Sequence, residues 1–136
     1  MTGTRIWIAI LCTGLLSLGA CRPQGETREM SQAEALAALE SDAPPLFLDV
    51  RTPEEYAAGH VPGALNVPHD QVAARLAEIS AQRERLVVVY CERGGRASQA
   101  SAVLAEAGLE HLAHLTGDMS AWRAADLPLE TAPQSP

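Results

Sequence analysis

The chain has 136 residues, of which 47% are apolar and 20% charged, with a formal net charge of −7. That length allows one domain of ordinary size, and the composition is that of a globular chain rather than a disordered one. Its 10 basic residues are all arginine, and the acidic excess argues against non-specific nucleic-acid binding, which depends on neutralising phosphates.

The N-terminus reads as a targeting segment. Arg5 and the terminal amine are positive, and Ile6 to Leu18 follows without a charge. This run falls short of the roughly 20 residues of a membrane span and has the shape of a secretory signal peptide. Leu18-Gly19-Ala20-Cys21 resembles the lipobox of bacterial lipoproteins, with leucine at −3, small residues at −2 and −1, and cysteine at +1. The resemblance implies removal of residues 1–20, lipid on Cys21, and a lipoprotein of the cell envelope that faces the periplasm and is tied to the membrane by its lipid anchor. Each buried methylene of such a chain adds about 0.8 kcal/mol of membrane affinity. The alternative is cleavage after Ala20 and release as a soluble periplasmic protein, which Leu18 at −3 fits less well. Arg22 is not the aspartate that resembles an inner-membrane retention signal, which leans toward the outer membrane. Residues 21–27, polar with Pro23 and Gly25, read as a tether.

The domain is expected over residues 28–129. Ser31 with Glu34 forms a capping box for a helix running to about Glu40. Leu46 to Val50 reads as a buried strand. Thr52 caps a short helix with Pro53 at its first position and acids in its first turn. Residues 59–64 form a loop into a strand at Leu65–Pro68. Val72, Leu76 and Ile79 predict a helix over 70–79. Leu86 to Tyr90 is the most apolar strand, and residues 91–96 form the loop after it. A helix follows from Ala97 to Ala107 and ends at Gly108. His111 to Leu115 is a strand, Asp118 to Ala125 a helix, and Pro128 to Pro136 a frayed tail, with 130–136 disordered. Strands and helices alternate, so the fold class is α/β with a largely parallel sheet.

Three cysteines occur, at 12, 21 and 91. Removal of the leader and lipidation of Cys21 would leave Cys91 as the one free thiol, which excludes an internal disulfide and a cysteine-rich zinc site. His69, His111 and His114 have no metal-ligand spacing, so no metal site is expected. Cys91 opens the loop Cys91-Glu92-Arg93-Gly94-Gly95-Arg96, at the strand end where α/β sheets bind ligands. Its backbone N–H groups, with those of the following helix's first turn, form a cup for an anion. Gly94 and Gly95 permit unusual backbone angles, and Arg93 and Arg96 add positive charge. A thiol there is expected to be acidic and nucleophilic. The plain alternative is a glycine turn with a packed cysteine and two surface arginines.

These segments together resemble a single-domain rhodanese. Asp49-Val50-Arg51, Glu55-Tyr56 and Gly59-His60-Val61-Pro62-Gly63-Ala64-Leu65-Asn66-Val67-Pro68 are similar to the family's D-V-R…E-[FY]…G-H-[IV]-x-G-A-x-N-[IV]-P stretch. Val87–Cys91 with Gly94, Arg96 and Ala97 is similar to its strand and C-x-x-G-x-R-[SA] loop. Leu115-Thr116-Gly117-Asp118 with Ala121-Trp122 is similar to its closing L-x-G-G-x-x-A-W motif. The resemblance implies a three-layer α/β/α domain with a central, mostly parallel sheet of about five short strands. It also implies a thiosulfate:cyanide sulfurtransferase-like enzyme, in which Cys91 takes sulfane sulfur from thiosulfate or a similar anion as a persulfide and passes it to cyanide or a thiol. Glu92, Arg93, Gly94, Gly95 and Arg96 would bind the donor; no cofactor is needed. Asp49, Arg51 and His60 read as structural, and Trp122 as core. Two departures stand out. Glu92 follows the nucleophile and should oppose a dianionic donor, with Arg93 offsetting it. Asp118 replaces the second glycine of the closing motif and is expected to affect the turn more than the chemistry.

Two other functions fit parts of this pattern. One is a persulfide carrier or binding module at the envelope. The other is a cysteine-dependent phosphatase, which uses C-x5-R; here Ala97 holds that arginine position and Tyr90 stands where the signature has histidine.

Overall fold

The computed structural model describes residues 27–132. The expected signal peptide, Cys21, most of the tether and the last four residues lie outside the described residues. The elements are β1 (Arg28–Met30), α1 (Gln32–Leu39), β2 (Leu46–Asp49), α2 (Pro53–Ala58), β3 (Leu65–Asn66), a 3-10 turn (His69–Gln71), α3 (Leu76–Ser80), β4 (Val87–Tyr90), α4 (Gly95–Glu106), β5 (Leu112–Leu115) and α5 (Asp118–Ala124). They form one five-stranded sheet, ordered β1-β5-β4-β2-β3, with every pairing parallel.

The period of two along the central strands builds the layers. Val87 and Val89 of β4, then Cys91, pack with Ala97, Ala100 and Leu104 of α4 and with Val72 and Ile79. Val88 and Tyr90 point to the other face and pack with Ala35 of α1 and Met119 and Trp122 of α5. Helices therefore cover both faces, and the domain is a three-layer α/β/α sandwich around a parallel sheet. All four residues of β4 are fully buried; each such side chain contributes about 1.5–3 kcal/mol relative to exposure.

Local signals set the helix starts. Ser31 and Glu34 cap α1 reciprocally, and Thr52 and Glu55 do the same for α2. Four segments differ from the reading of the sequence. β1 was not expected; its pattern of two exposed charges before a buried Met30 carries no strand periodicity, and pairing with β5 creates it. The helix expected over 70–79 is split. Pro68 starts a tight turn, and α3 begins only at Leu76, after Arg75 turns its guanidinium to the Asn66 carbonyl at 3.1 Å. Val72 and Ile79 are nevertheless both buried. α4 starts two residues early, because Gly94 takes the left-handed conformation (φ 95°) and turns the chain straight into the helix. The frayed tail is corrected at its start. Trp122 Nε1 donates to the Pro128 carbonyl at 2.8 Å, and His60 and Glu130 exchange two backbone hydrogen bonds of 2.9 Å each. The fold thus extends through Glu130.

Candidate active site

Cys91 is the first residue after β4, at the C-terminal edge of the sheet between β2 and β5. Only 1% of it is exposed, so its sulfur lies at the floor of the loop rather than on the surface. The left-handed Gly94 brings its N–H back to Cys91 Sγ, at 3.0 Å. The first hydrogen bond of α4 runs from Ser98 N–H to the Gly94 carbonyl. The N–H groups of Gly95, Arg96 and Ala97 therefore have no partner within the helix. The Gly94 N–H meets the sulfur itself, and the three unpaired N–H groups open the helix that follows it directly, an arrangement suited to negative charge on that sulfur.

The loop's charges are arranged differently from the expectation. Arg96 lies beside Cys91 and is at the same time held by a carboxylate. Its Nη1 and Nη2 donate to Glu55 on α2 at 2.7 and 2.9 Å. These bonds from Arg96 bring the Glu55 carboxyl down to about 2, and the reciprocal bond holds the Arg96 guanidinium charged. Arg93 is exposed and, among the described residues, forms no ion pair. Glu92 contacts the guanidinium of Arg123 on α5 and lies 3.7 Å from Arg51 Nη1. Its offset thus comes from Arg51 and Arg123, where the sequence suggested Arg93.

Asp49 and Arg51 sit at 0% and 2% exposure and hold each other. Arg51 Nε and Nη2 donate to the Asp49 carboxylate at 3.0 and 2.6 Å, and Nη2 also donates to the Gly59 carbonyl at 2.8 Å. The pair ties the end of β2 to the loop after α2 and meets the Cys91 loop only through Glu92. His60 stacks on Tyr56 at 3.5 Å, and its Nδ1 lies 2.7 Å from the Tyr56 carbonyl. Its partners lie in α2 and at Glu130, away from the Cys91 loop. Tyr90 is buried on the face opposite Cys91, its hydroxyl accepting the Val61 N–H at 3.2 Å; burial first, then the Asp49 charge, pushes that phenol's pKa up.

Sequence reasoning missed the contribution of α5. Asp118 Oδ1 accepts the Cys91 N–H at 2.8 Å, Met119 N–H donates to the Cys91 carbonyl at 3.1 Å, and Ser120 N–H donates to the Glu92 carbonyl at 3.2 Å. Three consecutive residues of one helix turn thus hold the loop, two through the N–H and carbonyl of Cys91 and one through the carbonyl of Glu92. Asp118 in place of glycine was the available signal. Glu55 stood out only as part of the resembled stretch, with no sign of its contact with Arg96, and Arg123 gave no signal, because each meets the loop only through tertiary packing.

Fold and loop together define an α/β domain that seats one cysteine in a cup of backbone donors at the sheet's C-terminal edge. The chain belongs to the rhodanese family: the family model described as rhodanese-like domain matches residues 31–125. It is 39% identical over 84 residues to a protein named sulfurtransferase from Allochromatium vinosum, spanning 62% of this chain and 77% of that one. It is 38% identical to the thiosulfate sulfurtransferase PspE of Escherichia coli, spanning 52% of this chain and 68% of that one. The crystal structure of the Alr3790 protein from Anabaena superposes with a TM-score of 0.69 at 33% identity, covering 76% of this chain and 82% of that one.

Proposed function

We propose that this chain is a sulfurtransferase that carries sulfane sulfur on Cys91, with thiosulfate as a competent donor. The observation that carries this reading is the Gly94 N–H held 3.0 Å from Cys91 Sγ, beside the unpaired N–H groups that open α4. The Cys91 thiolate attacks the outer sulfur of thiosulfate; the S–S bond breaks, and sulfite leaves with the bonding pair. The persulfide remains, stabilised by the Gly94 N–H and the N-terminal end of α4. Cyanide or a thiolate then attacks that terminal sulfur and takes it, returning the Cys91 thiolate. The phosphatase alternative is disfavoured by Arg96, which is the position nearest to the phosphate-wrapping arginine and is engaged by Glu55.

The assay is sulfite release from thiosulfate in the presence of cyanide. The wild-type chain turns over and Cys91→Ala does not. Hydrolysis of p-nitrophenyl phosphate by the wild type, lost in Cys91→Ser, with no sulfite release, would favour the phosphatase instead. We place the protein at the cell envelope on the strength of the Leu18–Cys21 motif alone. Incorporation of labelled fatty acid that Cys21→Ala abolishes supports that placement, and a soluble, unlabelled protein rejects it.

A further inference from the structure

Asp118 stands where the resembled closing motif has glycine, yet it keeps the left-handed backbone that glycine favours, at φ 52°. A side chain in that conformation is a cost that glycine avoids, and such outliers gather at functional sites. Its carboxylate is buried, at 2% exposure, and both oxygens are used. Oδ1 takes the Cys91 N–H at 2.8 Å, and Oδ2 faces His114 Nε2 at 3.1 Å. His114 Nδ1 in turn faces Glu29 Oε1 at 3.2 Å. An imidazole with a carboxylate at each nitrogen satisfies both contacts only when both nitrogens carry protons. The three side chains run in line through the ring, and among the described residues no three such groups converge to hold a metal ion.

We propose that Asp118 and His114 form a positioning pair for Cys91, which anchors the nucleophile's peptide N–H and couples the reactivity of its sulfur to the charge on the His114 ring. The proposal rests on the reading of Cys91 as the nucleophile. While His114 is protonated, its charge offsets that of Asp118. Loss of the proton leaves Asp118's charge uncompensated, one peptide group from the sulfur, where it disfavours the thiolate. Other elements around the ring add no charge. α4 presents Ser98 and Ser101, neither of them charged, across a cavity of about 250 Å³, and the loop presents Gly94. Burial works against the imidazolium, but the Asp118 charge and the contacts with Glu29 and Asp118 outweigh it, so His114 titrates above its ordinary value.

The test is the rate of alkylation of Cys91 by iodoacetamide in the full chain, read by peptide mass. It runs from about pH 5.5 to about pH 9, a range that spans imidazole and thiol titration. The wild type shows a two-step profile, with one step above the ordinary imidazole value. His114→Gln loses that step and reacts about three- to tenfold more slowly near neutral pH, where Asp118 is then never offset. Asp118→Asn keeps an acceptor for the Cys91 N–H without the charge, and loses the step without the fall in rate. Should His114→Gln not fold, Asp118→Asn and Asp118→Gly carry the test, both losing the step. A purely structural role would lower the unfolding midpoint of the variants and leave the step in place. A single-step wild-type profile, or the wild-type two-step profile in the variants, overturns the proposal. Sulfur gain on Cys91, measured by mass in the same samples, reports separately. If the wild type takes up no sulfur while the variants show the altered profiles, the transferase reading fails and the coupling stands.

Discussion

Cys91 Sγ and Gly94 N–H meet at 3.0 Å because one residue between β4 and α4 takes a backbone conformation that side chains resist. A Cβ on Gly94 would also lie 3.2 Å from Asp118 Oδ2. This part of the site was legible in the sequence, since strand, cysteine, glycine and arginine sit within a few residues of one another. Asp118 was not legible as a partner of Cys91, because that contact spans 27 residues and depends on where α5 docks. The Asp49–Arg51 pair is a second residue-scale feature with a consequence for stability. Both groups are desolvated, so removing one leaves a buried charge alone. Arg51→Met is expected to lose about 3–5 kcal/mol in chemical denaturation. The double variant Asp49→Leu/Arg51→Met should recover a large part of that loss, and a double variant no more stable than the single one would contradict this account.

At the scale of elements, α2 and α4 are held together beside the site by Glu55 and Arg96. Glu55 also completes the capping box of α2, so one carboxylate caps the start of a helix and anchors the arginine of the Cys91 loop. Its carboxyl is lowered from 4.5 to about 2, chiefly by the Arg96 bond. A carboxyl lowered in the folded state stabilises fully above its unfolded value, and that stability is lost as the pH falls through the folded one. The wild type should therefore lose stability between pH 4.5 and about 2 more steeply than Arg96→Gln, and the two curves should converge at the acid end. Parallel curves across that window would show that the pair contributes nothing. Helix caps were readable because they are local, with donor and acceptor three residues apart. β1 and the split before α3 were not, because a three-residue edge strand exists only through its neighbour β5, and the turn after Pro68 follows from Arg75 reaching Asn66.

At the scale of the whole molecule, the alternation of side chains along β4 sends Cys91 toward α4 and Tyr90 toward α5. The strand ends at the junction of the two outer layers, and the loop there is gripped from both. α4 supplies the unpaired N–H groups, and α5 supplies Asp118, Met119, Ser120 and Arg123. The layering followed from the periodicity of the sequence. The strand order did not, because it is set by pairings between segments far apart in the chain, such as Arg28 with Ala113. Every part of this arrangement bears on one sulfur atom, so the most direct test is the mass of the full chain after exposure to thiosulfate. A gain of one sulfur atom located on Cys91, removed by cyanide and absent from Cys91→Ala, is the predicted result. No gain on Cys91, or the same gain in Cys91→Ala, would contradict the account.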